Sequence, residues 1–381
     1  MSWLKRKLFK KKISIAVIGI GNAGCKIADL FIKELEESKI TVKSLAINQT
    51  DNFTPSLKGF NERFWFGSKD QPSSNRNLDE VLKLLEEREE DITKSVSKIL
   101  LYKKGETKSQ DEYALHLIIA SAGGTGAAGA MMVSRVIKEL SGISPTVIFI
   151  LPEKDEPSFL QYNAARALYY LGFDFRGPQC PIVLFDNEKL LNKFINEAID
   201  EAIIHVNEYL SETLTTTILA ALQESTEGEF QAGLNDFFAA FSEEATGLGV
   251  IISLDREFED ITEAQKIRFS DLFFKELDTA SSLSADLTRA KLGYLTITVP
   301  YSYQTIFETR KIVKRFEKGN IKVSLTNIDE PVLSIRGVIT GIHPDYVDRF
   351  WEVLELGRDT RNQMLELEYK IEHARIAIEK E

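Results

Sequence analysis

The chain has 381 residues, 43% of them hydrophobic, which allows two or three domains of ordinary size around a sizeable core. Its net charge of −11 argues against nucleic acid as the main partner, and with neither an apolar run of about 18 residues nor a signal peptide we expect a cytoplasmic protein. Two cysteines and four scattered histidines exclude a disulfide framework and a four-cysteine zinc site, so we expect no metal bound directly by side chains.

Residues 1–12 form a basic tail, with six lysine or arginine residues and no acid. In a helix, Trp3, Leu4 and Leu8 would lie near one another with lysines beside them, as in short anchors that bind acidic lipid. The alternative is a solvated basic arm, because one short segment binds a membrane weakly unless many copies act together. The anchor hypothesis would place the protein peripherally at the inner face of the cell membrane, whereas the basic-arm hypothesis would not.

The first half of the chain alternates apolar strands with amphipathic helices. This alternation predicts a doubly wound α/β domain with a mainly parallel sheet, whose ligand lies at the carboxyl ends of the strands. Two glycine-rich turns fall at such strand ends. The predicted elements are strands at 13–20, 41–48, 146–152 and 180–187, helices at about 23–38, 78–100 and 158–171, and a strand, glycine turn and helix within 114–140.

The second half of the chain has a different pattern. Apolar residues recur every four positions over 188–223, which predicts a long helix in a central rather than a peripheral position. A second, smaller α/β domain follows. Its predicted strands are 248–253, 292–300, 321–327 and 332–342, and its predicted helices are about 262–280 and 302–318.

A charged helix is predicted from about residue 344 to residue 381. Its apolar seam spans only two heptads, so packing on the body of the protein is favoured over a coiled coil. The seam residues are Met364, Leu367, Ile371, Ala374 and Ile378.

The first glycine turn lies in "ISIAVIGIGNAGCKIADLF", residues 13–31, and satisfies the G-x-G-x-x-G pattern of dinucleotide-binding folds. Alone this pattern is weak, because small residues there also allow a helix to pack closely on a strand. An NAD site also needs Asp or Glu at the end of the second strand, to bind the ribose. Asn48 stands at that position, which argues against NAD.

The second glycine turn, 121–129, is "SAGGTGAAG", in which seven of nine residues are Gly or Ala. It follows an apolar strand and opens a helix, whose free N–H groups and positive end suit a polyphosphate. Thr125 adds a hydroxyl donor. No Gly-Lys-Ser/Thr follows either turn, so neither is a P-loop.

These motifs carry a resemblance to a known family. "AGGTGAA" at 122–128 resembles the signature of the tubulin/FtsZ superfamily of self-assembling GTPases, with Ala128 in place of its last glycine. The turn at 19–29 and "AINQTDN" at 46–52 resemble its first two phosphate loops. "LPEKDEPSFLQYNAAR" at 151–166 and "VLFDNEKL" at 183–190 resemble its sugar- and base-contacting segments, with a spacing most like the archaeal CetZ branch.

The resemblance implies a site for GTP or GDP and Mg²⁺, with the metal bound through the phosphates. It also implies domain boundaries: a GTP-binding domain at 13–195, a central helix at 196–223, a C-terminal assembly domain at 224–345 and a terminal helix at 346–381. By the same resemblance, the α/β-phosphates are lined by Gly21, Asn22, Ala23 and Cys25, and the β/γ-phosphates are cradled by Gly123, Gly124, Thr125, Gly126 and Ala127. Asn48 lies by the phosphates and Mg²⁺, Glu156 binds the ribose, and Asn163 is a further GTP-binding residue. The guanine edge is bound by Asn187 and Asn207, and Ile203 packs on the base.

The chemistry of the two base-contacting asparagines agrees with these roles independently. A carboxamide offers both a donor and an acceptor, as a purine edge requires. For either asparagine alone, a turn or cap role is an equal alternative.

Hydrolysis in this superfamily is completed at a subunit contact, where a loop from the next copy positions water. The corresponding segment here is 225–238, and it departs from the family pattern Asn-x-Asp-x-x-Asp. Gln231 replaces the asparagine, Gly233 replaces the first acid, and Asp236 keeps the second. Asp236 and Gln231 are therefore the predicted catalytic residues, Glu227 and Glu229 are alternatives for the lost acid, and slow turnover that requires assembly is expected.

Two further departures concern regulation and tethering. The segment 67–77, "GSKDQPSSNRN", stands where FtsZ has its Gly-Ala-Gly third loop. Whether this segment switches in response to the γ-phosphate is therefore an open question. The chain also lacks the linker and terminal peptide with which FtsZ binds membrane-tethering partners, a role that the basic tail could assume.

The function predicted is that of a GTP-binding cytoskeletal protein, forming head-to-tail homopolymers and active in cell division or cell shape. A related FtsZ-like paralogue is a possible second partner. Two alternatives stay open: a nucleotide-binding regulator of the same fold that does not polymerise, and an NAD-dependent oxidoreductase, supported by the first turn alone.

Overall fold

The computed structural model describes residues 12–50, 57–67, 77–105, 112–222, 230–302, 304–316 and 319–362. The basic tail up to residue 11, most of the third loop, Glu227 and Glu229, and the seam from Met364 to Ile378 lie outside the described residues.

Ten strands of the described residues form one sheet, in the order β3-β2-β1-β4-β5-β6-β7-β10-β8-β9. Every neighbouring pair is parallel except those of β10, which runs antiparallel to β7 and β8. The strands are β1 (Lys12–Ile20), β2 (Thr41–Asn48), β3 (Glu62–Trp65), β4 (Glu112–Ser121), β5 (Thr146–Leu151), β6 (Pro181–Asp186), β7 (Gly247–Glu257), β8 (Leu292–Pro300), β9 (Asn320–Ile328) and β10 (Val332–Ile342).

Helices cover both faces of this sheet. They are α1 (Gly21–Glu37), α2 (Leu78–Glu87), α3 (Glu89–Ile99), α4 (Gly124–Ser141), α5 (Ser158–Gly172), α6 (Asn187–Leu191), α7 (Ile199–Ala221), α8 (Leu234–Ala239), α9 (Ile261–Lys266), α10 (Phe269–Ala280), α11 (Thr305–Arg315) and α12 (348–362). Among the described residues, none of these helices combines the length and apolarity that crossing a membrane requires.

Alternation along the strands explains the two-sided core. In β1, Ile15 and Val17 belong to one apolar cluster while Ile18 and Ile20 belong to the other. Successive strand residues point to opposite faces, so an unbroken apolar run must be covered on both sides. Helices α1 and α7 contribute to one cluster, and α2 to α5 contribute to the other.

The predicted doubly wound, mainly parallel α/β fold is confirmed, with a difference in its second part. The strands predicted for a separate smaller domain continue the same sheet, because β7 pairs with β6 through Pro181 to Val183 and Gly247 to Gly249. The central helix α7 packs along α1 on one face and also contacts β10 and β7.

Two predicted helices are each divided in two. The predicted helix 78–100 breaks at Arg88, where φ is −115° and the side chain pairs with Asp91 at 2.7 Å while lying 5.7 Å from the Phe64 ring centre. The predicted helix 262–280 breaks at Ile267 and Arg268, after the short α9 capped by Asp260. In both places a side-chain interaction with the rest of the fold outweighs helical propensity.

The long helical pattern predicted over 188–223 is also interrupted. A short helix and a 3-10 turn occupy 187–194, and the continuous helix α7 starts only at Ile199. Two elements had no counterpart in the prediction: the four-residue edge strand β3 and the short helix α8.

Gly24 shows why the first turn needs small residues for packing. A Cβ placed on it would lie 2.2 Å from the carbonyl oxygen of Ile119 in β4, so α1 can approach the sheet only at a glycine. Gly233 is a contrasting case, because a Cβ there would meet nothing within 4 Å.

We therefore expect Gly24→Ala to lower the free energy of unfolding by about 1–3 kcal/mol, the usual cost of overpacking against backbone. Chemical denaturation measures the change, and Gly233→Ala serves as the matched control that leaves stability unchanged or slightly higher. Equal stability of the two variants would contradict the close packing of α1 on β4.

Candidate functional site

The sheet order places both glycine turns at one point. Strand β1 lies between β2 and β4, so the connections leaving β1 and β4 diverge to opposite faces and open a crevice at the carboxyl edge. The first turn leads from β1 into α1 and the second leads from β4 into α4.

The two turns approach each other most closely through their backbones. Gly21 has φ +71°, a conformation that favours glycine, and a Cβ on it would lie 3.1 Å from the backbone nitrogen of Gly126. Gly126 is itself held against the strand end, since its Cβ would lie 2.4 Å from the Ser121 carbonyl oxygen. The starts of the two helices are thereby fixed side by side.

Both helix N-termini lack the usual neutralising groups. Neither Ile20 before α1 nor Gly123 before α4 gives a side-chain cap, and neither helix has an acid in its first turn. By contrast, α2 is capped by Asn77 and has two acids in its first turn. Free N–H groups and the positive ends of two long helices therefore converge where an anion could bind.

Gly123 differs from the glycines that serve packing. A Cβ on Gly123 would meet nothing within 4 Å, so no neighbour in the described structure requires glycine at this position. Gly123 is the N-cap of α4, a position that favours glycine, and the open space beside its backbone would also allow a ligand to approach closely.

Asn48 lies at the carboxyl end of β2, beside the first turn. It is 3% exposed, and its Nδ2 donates to Asn22 Oδ1 at 2.9 Å and to the Thr50 carbonyl oxygen at 3.2 Å. The side chain of Asn22 is exposed at the edge of the turn. Asn48 thus orients Asn22 as well as bringing its own carboxamide to the site.

A cavity of about 200 Å³ continues from the second turn towards α7. Its wall is mostly apolar, with a few polar groups, as is usual for small-molecule sites. Six predicted site residues line it: Ala23, Gly123, Glu156, Asn187, Ile203 and Asn207.

Besides Ser121 at the end of β4, three polar side chains line the cavity. Asn187 is the first residue of α6, directly after β6, and Asn207 lies on the first part of α7, one turn beyond Ile203. Glu156 closes a turn, since its Oε2 accepts from the backbone N–H of Glu153 at 2.9 Å. Two carboxamides and a carboxylate therefore border one apolar space.

Carboxylates crowd the rim of this cavity. Burial, and then the neighbouring Glu156, Glu188, Asp155 and Asp186, raise the pKa of Glu153. Burial also raises the pKa of Asp186, against the opposing effect of the Arg349 guanidinium.

Two predicted site residues support the turns from behind. The thiol of Cys25 is fully buried and donates to the Gly19 carbonyl oxygen at 3.1 Å, and burial raises its pKa to about 12. Asn163 is 2% exposed, and its Nδ2 donates to the Ala122 carbonyl oxygen at 3.2 Å. Neither side chain is among those that line the cavity, because each is buried and donates to a carbonyl oxygen at a turn. Their contact with a nucleotide stays a prediction.

The predicted catalytic residues lie at the opposite edge of the sheet. Phe238 in α8 contacts Tyr113, at the amino end of β4, with ring centres 5.2 Å apart, whereas the second glycine turn follows the carboxyl end. The two ends of this strand are about 25 Å apart. Asp236, in the same helix as Phe238, is therefore too far from the cavity of its own copy to reach it.

The segment that carries the two predicted catalytic residues makes local contacts of its own. The Oδ2 of Asp236 accepts from the Gly233 backbone N–H at 2.9 Å, at the start of α8. Gln231 is exposed and pairs by backbone with Ser324 of β9.

Several cavity residues were missed from the sequence. Val206 and Leu210 share the face of α7 that carries Ile203 and Asn207, so helical spacing could have found them. Pro152 and Leu191 have no such signal, because distant segments bring them together. The residues of the wall that had not been predicted are Ile27, Ser121, Ala122, Ile150, Leu151, Pro152, Leu160, Leu191, Val206 and Leu210.

Comparison with known proteins gives structural matches only. Neither a scan of protein-family models nor a search of curated protein sequences finds a match. Among solved structures, a GTPγS-bound protofilament of CetZ2 from Haloferax volcanii is 16% identical at a TM-score of 0.72, covering 92% of this chain and 99% of that one. A GTPγS-form protofilament of TubZ from Bacillus thuringiensis serovar israelensis is 15% identical at a TM-score of 0.70, with 93% and 94% covered.

An FtsZ dimer from M. jannaschii is 20% identical at a TM-score of 0.60, covering 87% of this chain and 89% of that one. Similarity at these identities concerns the fold alone. At that level it confirms the resemblance to FtsZ predicted from the glycine turns, and the resemblance to CetZ predicted from the spacing of the segments at 151–190. The chain has the fold of the tubulin/FtsZ superfamily.

Proposed function

We propose that the chain is a GTP-binding, self-assembling protein of the tubulin/FtsZ type, and a slow GTPase. The observation that carries the proposal is the meeting of two uncapped helix N-termini at Gly21 and Gly126, beside a cavity with two carboxamides in its wall. A polyphosphate suits the first feature and a purine base suits the second.

The phosphates would lie over Gly123 and the first turns of α1 and α4, where backbone N–H groups are free to donate. The guanine would lie against Ile203, with Asn187 and Asn207 at its edge and Glu156 at the ribose. Oxygen atoms of Asn48 and Thr125 at the phosphate end suit Mg²⁺, a hard cation that would be bound mainly through the phosphates. When bound, this cation neutralises charge on the β- and γ-phosphates.

The proposed assembly follows from the distance between the nucleotide cavity and Asp236 within one copy. The cavity and Asp236 lie on opposite edges of one sheet, so a water held by Asp236 can meet a nucleotide only on another copy. Stacking copies edge to edge is a head-to-tail contact that repeats into a filament. The compared CetZ2 and TubZ structures are protofilaments, which supports this arrangement.

Slow GTP turnover is proposed because Gly233 stands where the family pattern has the first of its two acidic residues. Asp236 would position the attacking water against the γ-phosphate, and the free N–H groups at the glycine turns would stabilise the developing charge. A non-polymerising regulator is the second candidate, favoured by the engagement of Asp236 as a local helix cap. An oxidoreductase has no further support, since Asn48 at the end of β2 is hydrogen-bonded to Asn22.

The base contacts predict nucleotide selectivity. The unaltered chain should bind GDP in preference to ADP, and Asn207→Ala should lower its affinity for GDP about tenfold, the usual loss when a bound polar edge loses its partner. Isothermal titration of nucleotide-free protein measures both affinities. The exposed Asn192 provides the matched control, since Asn192→Ala should bind GDP normally. Equal affinity of the unaltered chain for GDP and ADP would contradict the guanine site.

A mixing experiment tests whether two copies form one catalytic site. Asp236→Asn keeps an oxygen to cap α8 but loses the charge, and Gly123→Val blocks the nucleotide while leaving Asp236 in place. Each variant alone should release little phosphate from GTP, because each lacks one half of the site. Their mixture should recover activity at the mixed contacts.

Phosphate release at equal total protein concentration is the measurement. No recovery in the mixture, or normal turnover by Asp236→Asn alone, would contradict the shared site. GDP binding by Asp236→Asn is the control, and we expect it to equal that of the unaltered chain.

We also propose that the basic tail attaches the polymer to acidic lipid. The proposal rests on its six positive charges with Trp3 and Leu4, and on the avidity of many copies. With GTP present, the full chain should float with vesicles that contain acidic lipid, whereas a variant lacking residues 1–12 should not. Equal flotation of both, or flotation with neutral vesicles alone, would count against the anchor.

A further inference from the structure

Arg349, in the first turn of α12, joins two segments at the rim of the cavity. It is 5% exposed, and its Nη2 donates to the Pro152 carbonyl oxygen at 2.5 Å. Its Nε lies 3.6 Å from Asp186 Oδ1, and its Nη1 donates to Glu352 Oε2 at 3.2 Å. Pro152 lines the cavity, and Asp186 directly precedes Asn187, which also lines it.

The two joined segments carry like charge. Residues 153–156 include three acids, and Asp186 and Glu188 follow β6. Bringing these carboxylates together in a partly buried place is unfavourable unless a cation lies between them. Arg349 is the buried cation there, and Lys154 adds a second bridge by pairing with Glu352 at 3.2 Å.

Apolar packing holds α12 independently of this guanidinium. Phe350 is 2% exposed and lies against Phe173 with ring centres 5.4 Å apart, and Val353 is fully buried. At Gly357 a Cβ would lie 2.9 Å from the Ala165 side chain, so α12 and α5 are in close contact. The helix would therefore stay docked if Arg349 were altered.

We propose that Arg349 is a positioning residue for nucleotide selectivity: by bridging Pro152 and Asp186 it holds the ribose-contacting segment and Asn187 at the spacing that guanosine requires. The inference rests on the proposed function. Two hydrogen bonds, to Pro152 and Glu352, and an ion pair with Asp186 at 3.6 Å use the planar fork of an arginine. A lysine at this position can reach only one of the partners at a time.

Arg349→Lys tests the inference with the charge retained. Isothermal titration of nucleotide-free full-length protein should give at least a tenfold lower affinity for GDP, because a small misplacement of a contacting group is enough for such a loss. The affinity for ADP should change less, so the preference for GDP over ADP should fall. Arg349→Met should show a larger fall, and if it does not fold, Arg349→Lys decides alone.

Arg358→Lys is the matched control. Arg358 lies on the same helix, its side chain is 67% exposed, and its change should leave the GDP preference as in the unaltered chain. An unaltered GDP preference in Arg349→Lys, or equal losses for GDP and ADP, would overturn the positioning role. If the unaltered chain binds no GDP, the proposed function itself fails, a result distinct from normal binding that Arg349→Lys leaves unchanged.

Discussion

The structure depends on the contact between the backbones of Gly21 and Gly126, where two helices start side by side between β1 and β4. Side chains at either place would separate the turns, since Gly21 has a positive φ and Gly126 lies against the end of its own strand. Two positive helix ends so close together, without caps, are unfavourable in isolation. A polyphosphate relieves this, which is why a fold that forces the contact is suited to binding an anion.

The cavity and the long helix α7 both extend from this contact towards the opposite ends of the strands. The cavity runs from the second turn to the first part of α7, and α7, with 23 residues, spans about 34 Å towards the opposite edge of the sheet. Asp236, in α8, lies beside the amino ends of the strands. The cavity and Asp236 therefore lie at opposite ends of the strands.

Much of the first part of the fold could be predicted, because its signals are local. The bounds of β2, β8 and β10 match the predicted strands, since apolar β-branched runs are interrupted by turn residues at each end. The breaks at Arg88 and Ile267 could not be predicted, because they depend on side-chain contacts made only in the folded chain. The same limit applied to Cys25. Its position beside the turn in the sequence does not show that its thiol is buried and donates to the Gly19 carbonyl oxygen.

Arg349 shows this limit most clearly, since it is nearly 200 residues from Pro152 and no spacing in the sequence links them. Its position also links the rim of the cavity to the second half of the sheet. The helix α12 follows β10, the strand that pairs with β7 and β8, and Val347 at the junction is fully buried. β10, the buried Val347 and the rim of the cavity are thus linked by packed residues and by one buried guanidinium, that of Arg349.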